Sequence, residues 1–188
     1  MIKIGITGSI ASGKTTASKI LSHRRGPLFS ADKTVKKFYK DNNFKKLLIK
    51  EFNINKISNL KKLLKDKILS EKKSIRKLER IIHPMVRKEM KKFSILHKKR
   101  KKTFYEIPLL IESKLMKFFD VIIFIKAKKS LRLKRFKAKG GSVKLFVILN
   151  NKQLSDNEKV KHSDHLVVND KNFNILKKKL ISIIKLYE

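Results

Sequence analysis

Residues 1–15 read MIKIGITGSIASGKT. The first seven residues have the apolar character of a short buried strand, and a helical pattern runs from Lys14 through Ser22. Between them, residues 8–15 match G-x-x-x-x-G-K-S/T, the pattern of a phosphate-binding loop that joins a strand to a helix. The order of strand, glycine loop and helix favours such a loop over a glycine-containing turn that binds nothing.

The predicted loop offers backbone donors, a cation and a hydroxyl to one ligand. Two glycines let the backbone curl so that successive N–H groups face phosphate oxygens, and the start of the next helix adds unpaired donors. Lys14 is expected to reach the β- and γ-phosphates of ATP, and the Thr15 hydroxyl is expected to ligate Mg²⁺. The expected nucleotide-binding residues of the loop are Gly8, Ser9, Ile10, Ala11, Ser12, Gly13, Lys14, Thr15 and Thr16.

Length and composition indicate one α/β core with a modest insertion. The chain has 188 residues, 41% of them hydrophobic, which is ordinary for a globular protein. No apolar run approaches the roughly 18 residues that indicate a membrane-spanning helix. Polar residues and glycines interrupt the apolar amino-terminal segment, which argues against a secretory signal. We therefore expect a cytoplasmic location without a membrane partner. The absence of cysteine excludes disulfides and thiolate chemistry.

The formal net charge of +35 has two explanations. A basic surface binds nucleic acids by releasing their counterions. Compositional drift toward lysine also produces such a charge, and only eight of the 50 basic residues are arginines. Arginine is the side chain that recognises phosphates and guanine through its bidentate fork. We therefore favour drift, and we expect nonspecific contacts with RNA but no specific nucleic-acid partner.

The segment after the first helix predicts a short strand and then a helical block. The strand spans about 27–30, and Asp32 follows its end. Helical patterns then occupy residues 33–52 with a break at 41–43, residues 57–70 starting with Ile57, and residues 74–99. Pro84 predicts a kink or a helix restart near residue 83. We expect residues 33–100 to form a helical substrate-binding insertion.

The second half of the chain returns to alternating strands and helices. We predict strands at 103–107, 120–125 and 165–168, and an amphipathic helix at 171–187. Two basic helical segments, joined at Gly140-Gly141, predict a lid at about 129–152. The fold class is therefore α/β: a parallel sheet of the P-loop NTPase type, flanked by helices. The core is predicted from residues 1–32, 101–128 and 162–188 of a single unit.

Several short motifs occur together with the phosphate loop. They are Phe29-Ser-Ala-Asp32, Ile82-His-Pro84, Ile107-Pro-Leu-Leu-Ile-Glu112, Arg132-Leu-Lys-Arg135, Gln153 and Ser163-Asp164. In this order they resemble the dephospho-CoA kinase family, from residue 2 to about residue 170. The resemblance implies a kinase core, a helical substrate domain and a short lid. It also implies ATP and Mg²⁺ as ligands, and transfer of phosphate to the ribose 3′-hydroxyl of dephospho-CoA.

Asp32 is the candidate for the chemical step. A carboxylate at the carboxyl end of a strand faces the ligand crevice of an open α/β sheet, where it accepts the proton of an attacking hydroxyl. The alternative is a helix N-cap for residues 33–40. The resemblance favours catalysis, since the family has its catalytic acid at the matching position. This chain departs from the family's Asp-Ala-Asp by having Ser30 in the first position.

Other candidate residues carry an alternative each. Glu106 is either a magnesium-organising acid or a plain strand-end residue, and Glu112 either orients its loop or caps a helix. The resemblance implies that substrate-binding residues include Asp32, His83, Arg87, Pro108 and Leu109. For Arg87 the alternative is a solvated helix face.

The lid departs most from the family pattern. The resemblance implies an arginine pair that neutralises the transferred phosphoryl group, with Arg135 in the first position and Lys139 in the second. A further family arginine aligns with Ile148 here, and Arg132 is a possible substitute for the missing charge. Asn169 matches a segment beside adenine, or it is a simple turn residue.

Three functions remain open from the sequence. The first is a dephospho-CoA kinase, acting as a monomer or weak oligomer. The second is a basic nucleic-acid-binding P-loop ATPase or a related nucleoside or nucleotide kinase. The third is a kinase that keeps the fold but has lost turnover, because Ser30, Lys139 and Ile148 depart from the family pattern.

Overall fold

A computed structural model describes residues 1–54 and 59–188 of the chain. Ile57, the predicted first apolar position of the helical segment 57–70, lies outside the described residues. The described part divides into two compact units. One comprises Met1–Ser30 and Ser94–Glu188, and the other is Ala31–Phe93.

The first unit contains a five-stranded parallel sheet. The strands are β1 (Ile2–Gly8), β2 (Leu28–Ser30), β3 (Lys102–Glu106), β4 (Val121–Lys126) and β5 (His165–Val168), in the order β2-β3-β1-β4-β5. All neighbouring strands pair in parallel. The expected fold class is confirmed. Since parallel strands end at one edge of the sheet, the loop after β1 and the end of β3 lie side by side there.

The helices alternate with the strands, as expected from the periodicity. They are α1 (Lys14–Ser22), α2 (Ala31–Phe38), α3 (Asn42–Phe52), α4 (Leu60–Ser70), α5 (Lys72–Leu96), α6 (Lys129–Lys137), α7 (Val143–Asn151), α8 (Asp156–Lys161) and α9 (Phe173–Lys185). A single 3₁₀ turn spans Met116–Phe118. In the described ranges, 1–54 and 59–188, no helix has both the length and the apolar character needed to cross a bilayer.

The core of the first unit is mainly aliphatic, and its central strands β1, β3 and β4 are buried along most of their length. Helices α1 and α9 pack together against one face of the sheet. The residues of this cluster are Ile4, Ile6, Ala17, Leu21, Phe104, Val121, Ile123, Ile125, Val167, Leu176, Leu180 and Ile184. The packing fixes β1 and α1, and therefore both ends of the loop between them.

The second unit has a separate core formed by its helices. The core residues are Phe44, Leu48, Phe52, Ile54, Leu60 and Leu64. Asp41 begins α3 by accepting a hydrogen bond from the Asn43 backbone N–H at 2.8 Å, which satisfies one donor of the first turn. The predicted break at residues 41–43 is therefore the start of a helix.

Two elements differ from the sequence expectations. Helix α5 runs from Lys72 to Leu96 with Pro84 inside it, so the predicted restart near residue 83 does not occur. Apolar residues on both sides of Pro84, including Ile81 and Met85, pack on the core of the second unit and keep the two halves helical. Helix α8 was not predicted, because its sequence DNEKVK has almost no apolar residues.

Candidate functional site

The segment between β1 and α1 has the backbone conformation of a phosphate-binding loop. Ala11 and Gly13 have positive φ angles of 58° and 100°. The Ser12 N–H donates to the Ser9 carbonyl at 3.1 Å, and the Ala17 N–H donates to the Gly13 carbonyl at 3.0 Å. A turn followed directly by a helix directs backbone N–H groups toward a shared concave site that suits an anion.

Lys14 lies across this loop. The side chain is 8% exposed, and its Nζ donates to the carbonyls of Gly8 and Ser9 at 3.0 Å each. These two carbonyls hold the ammonium group at the loop, and a phosphate oxygen, which unlike a carbonyl carries a negative charge, can replace them as its acceptor. Lys14 is therefore positioned to follow a phosphate that enters the loop.

Thr15 and Glu106 form a pair of oxygen groups at the same edge of the sheet. The Thr15 hydroxyl donates to Glu106 Oε1 at 2.5 Å, and Glu106 is 1% exposed at the end of β3. Hydroxyl and carboxylate oxygens are the ligand types that Mg²⁺ takes in nucleotide sites, where substrate phosphates and waters complete the shell. The donor set therefore fits Mg²⁺. Over residues 1–54 and 59–188, no group of three His, Cys, Asp or Glu side chains forms an all-protein metal site.

Asn169 contacts the back of the loop. It is 7% exposed, and its Nδ2 donates to the Ser12 carbonyl at 2.8 Å. The backbone carbonyl of Asn169 accepts from the Arg135 guanidinium at 3.1 Å, and Arg135 also approaches the Ser12 backbone carbonyl at 3.5 Å. The structure thus brings Arg135 and Asn169 together at the loop. Lys139, the second predicted lid cation, is exposed.

Arg132 is a structural member of this region. It is 5% exposed, and it donates to the Ala127 carbonyl at 3.1 Å and to Asn150 Oδ1 at 2.9 Å. Burial lowers the pKa of the guanidinium, and the nearby Asp156 carboxylate partly offsets this effect. Because Arg132 is buried and its Nε and Nη1 groups contact protein acceptors, it fits a structural role better than that of a substitute lid cation.

Two further contacts to the loop come from the segment that begins α8. The Ser9 hydroxyl donates to Asp156 Oδ1 at 2.5 Å, and the Ile10 N–H donates to Gln153 Oε1 at 2.8 Å. Gln153 had a signal in the sequence, since it belongs to the family motifs. Asp156 had none, because a lone acid in a polar segment predicts only a helix start.

Glu112 holds this segment in place. Its Oε1 accepts from the Leu154 N–H at 3.1 Å and lies 2.8 Å from Lys159 Nζ. The latter is an ion-pair distance without the angles of a hydrogen bond. Lys159 is fully buried, so the pair lies in a low-dielectric environment. Of the two alternatives for Glu112, its observed contacts fit orientation of a neighbouring segment.

The remaining predicted residues lie in three places. Asp32 is exposed in the first turn of α2, which begins at Ala31, so the carboxylate lies inside the helix and not before it. His83 is half-buried and Arg87 is exposed, one turn apart on α5. In the first unit, the Pro108 carbonyl accepts from the Thr7 hydroxyl at 3.2 Å, and Leu109 is half-buried.

Gly13→Ala is expected to abolish measurable ATP binding. A Cβ at residue 13 would collide with Asn169 Nδ2, and φ of 100° is strained for any residue with a side chain. Calorimetric titration with ATP measures the effect. Gly140→Ala is the matched control, because Gly140 also has a positive φ but a Cβ there meets nothing within 4 Å. Equal ATP affinities for the two variants would contradict the expectation.

The sheet order and the phosphate loop at its carboxyl edge define the class of protein: the chain is a P-loop kinase. The family model for dephospho-CoA kinase matches residues 2–174. The chain therefore belongs to the dephospho-CoA kinase family.

The chain is similar to known proteins both in sequence and in structure. The dephospho-CoA kinase of Rickettsia typhi is 33% identical, and the alignment covers 98% of this chain and 97% of the relative. The solved dephospho-CoA kinase of Campylobacter jejuni is 27% identical with a TM-score of 0.67, over 97% of this chain and 95% of that chain. The protein TT1252 of Thermus thermophilus is 25% identical with a TM-score of 0.77, over 98% and 97%.

Proposed function

We propose that this chain transfers the γ-phosphoryl group of ATP to the ribose 3′-hydroxyl of dephospho-CoA, which yields coenzyme A and ADP. The observation that carries the proposal is a phosphate loop with a buried lysine and a hydroxyl–carboxylate pair, in a member of the dephospho-CoA kinase family. The nucleic-acid-binding alternative has no comparable support, since the net charge is its only basis.

The nucleotide side of the reaction uses the loop. Backbone N–H groups of residues 8–16 bind the phosphates, and Lys14 moves from its loop carbonyls to the β- and γ-phosphate oxygens. Thr15 and Glu106 hold Mg²⁺, directly or through its water ligands. When bound there, Mg²⁺ would neutralise charge on the phosphates. Asn169 takes a place beside adenine while it supports Gly13 and Ser12.

The acceptor side uses residues outside the phosphate loop. Asp32 accepts the proton of the 3′-hydroxyl and orients its oxygen for attack on the γ-phosphorus. His83, Arg87, Pro108 and Leu109 bind the remainder of dephospho-CoA, with Arg87 on one of its phosphates. Arg135 and Lys139 neutralise the transferred phosphoryl group. Lysine supplies charge without the bidentate fork, so turnover slower than that of a family member with two arginines is expected.

We propose the cytoplasm as the location and a monomer or weak oligomer as the working form. ATP and dephospho-CoA are its partners, and the basic surface adds nonspecific contacts with RNA. These contacts weaken steeply as salt rises, because they depend on counterion release.

A panel of acceptors tests the proposal. ADP release is measured with purified protein, ATP and Mg²⁺, separately with dephospho-CoA, nucleosides, nucleoside monophosphates and RNA. Release that depends on dephospho-CoA supports the proposal. Release that depends on a nucleoside or a nucleoside monophosphate would assign a related kinase, and release stimulated by RNA would assign an ATPase. ATP binding without release would assign a kinase fold that has lost turnover.

Glu106→Gln is expected to raise the Mg²⁺ concentration that gives half the maximal rate by about tenfold or more, as loss of a metal-orienting group commonly does. The amide keeps an oxygen for the Thr15 hydroxyl but removes the negative charge at the end of β3. Initial rates measured against Mg²⁺ at fixed ATP give this value. Glu158→Gln is the control, because Glu158 pairs with Lys161 on α8. An unchanged Mg²⁺ requirement would reassign Glu106 as a plain strand-end residue.

A further inference from the structure

The first half of the phosphate loop is held by side chains that lie outside the loop sequence. Asp156 accepts from the Ser9 hydroxyl at 2.5 Å, and Gln153 accepts from the Ile10 N–H at 2.8 Å. Arg132 approaches the Ile10 carbonyl at 3.5 Å. Both backbone polar groups of Ile10 therefore face side chains of the α6–α8 region.

These contacts precede a strained residue. Ala11 has a φ of 58°, a conformation that an alanine keeps only when its surroundings enforce it. Ser9, two residues before Ala11, is held firmly in place. It is 2% exposed, and the distance of 2.5 Å between its hydroxyl and the Asp156 carboxylate is typical of a charge-assisted hydrogen bond. The contacts can therefore fix the loop in its nucleotide-binding shape before ATP arrives.

The holding segment is itself anchored to the sheet region. Glu112 contacts the Leu154 N–H and Lys159, and Lys159 is fully buried. Ser155 caps α8 by accepting from the Glu158 N–H at 3.2 Å. Asp156, the first residue of α8, thus has a fixed support on each side.

The charge of Asp156 makes its position informative. A carboxylate close to a triphosphate site repels the nucleotide and therefore lowers ATP affinity, unless another effect of the carboxylate compensates. Arg132 and the hydrogen bond from Ser9 offset the charge in the structure. A net benefit from Asp156 therefore has to come from the geometry that it imposes on the loop.

We propose that Asp156 and Gln153 are positioning residues that preorganise the phosphate loop for ATP through the Ser9 hydroxyl and the Ile10 N–H. They do not touch the substrates, and their effect appears as ATP affinity. The proposal rests on the proposed function only in taking ATP as the nucleotide.

Two substitutions at residue 156 separate geometry from charge. Asp156→Ala removes the acceptor and is expected to raise the ATP dissociation constant about tenfold, the size of one charge-assisted hydrogen bond. Asp156→Asn keeps an acceptor oxygen and is expected to stay within about threefold of the wild type. Calorimetric titration with ATP measures both. Glu158→Ala, which removes a carboxylate of the same helix that pairs with Lys161, is the matched control.

A double-mutant cycle links the effect to the contact. Ser9→Ala is expected to raise the dissociation constant by a similar factor, and the double variant Ser9→Ala/Asp156→Ala is expected to bind as weakly as either single one. In turnover, the KM for ATP is expected to rise while the KM for dephospho-CoA stays unchanged. A residue that only stabilises the fold would lower the unfolding temperature without this pattern.

If Asp156→Ala does not fold, the contact of Gln153 with the Ile10 N–H provides a second, independent pair of variants. Gln153→Leu is expected to weaken ATP binding several-fold, and Gln153→Glu, which keeps an acceptor oxygen, is expected to weaken it less. The proposal would be overturned if Asp156→Ala and Asp156→Asn both bound ATP more tightly than the wild type. It would also be overturned if Asp156→Ala and Gln153→Leu both kept the wild-type affinity, or if the effects of Ser9→Ala and Asp156→Ala simply added in the double variant. A wild-type chain that binds ATP but does not phosphorylate dephospho-CoA would reject the proposed function alone, because these affinities are measured without turnover.

Discussion

Asp32→Asn is expected to lower kcat by about 10²–10⁴, the usual contribution of a general base. The amide cannot accept the proton of the attacking 3′-hydroxyl. ATP affinity is expected to remain that of the wild type, because the loop that binds ATP is formed by other residues. Single-turnover rates with ATP and dephospho-CoA, together with an ATP titration, measure the two quantities.

The same unit provides a control for Asp32. Asp41 is also an exposed aspartate at a helix start, where it caps α3. Asparagine caps a helix about as well as aspartate, so Asp41→Asn is expected to change neither kcat nor stability noticeably. If Asp32→Asn keeps the wild-type rate, Asp32 serves the first turn of α2, where a negative charge is favourable, and not the chemistry.

Lys14→Ala is expected to lower kcat/KM for ATP by about 10²–10³, the size found when one preorganised group that stabilises developing charge is removed. The variant loses the cation that we propose binds the γ-phosphate. It also frees the Gly8 and Ser9 carbonyls, which Lys14 Nζ holds at 3.0 Å. Steady-state rates at varied ATP measure the effect.

Lys19→Ala is the control for Lys14. Lys19 is exposed on the last turn of the same helix, at the end opposite to the loop. Because the chain carries a large positive charge, removal of one exposed lysine tests the general electrostatic attraction of ATP. Similar rates for the two variants would mean that the ammonium of Lys14 acts only as part of this general field.

The elements of the first unit were largely predictable because their signals are local. The strand β4 lies at Val121–Lys126, where the apolar run at 120–125 predicted a strand, and the loop motif predicted the order β1, loop, α1. The predicted parallel topology also placed Thr15 and Glu106 at the same edge of the sheet, where the structure has them in contact. Both inferences need only periodicity and the rule that parallel strands end together.

The contact of Asp156 with the phosphate loop was not predictable from the sequence. Asp156 and Ser9 are 147 residues apart. Their contact depends on the position of α8, which is held by the ion pair of the buried Lys159 with the half-buried Glu112. Lysine is so common in this chain that one buried lysine has no distinguishing pattern. Pro84 misled for a related reason, since packing of the second unit overrides the local preference for a helix break.

The identity of the product tests the central claim most directly. Purified protein is incubated with dephospho-CoA, Mg²⁺ and ATP labelled in its γ-phosphate, and the product is located by mass spectrometry and phosphorus NMR. The account predicts coenzyme A with the label on the ribose 3′-oxygen, formed together with an equal amount of ADP. Label found only in free phosphate or on a different acceptor, with dephospho-CoA unchanged, would contradict it.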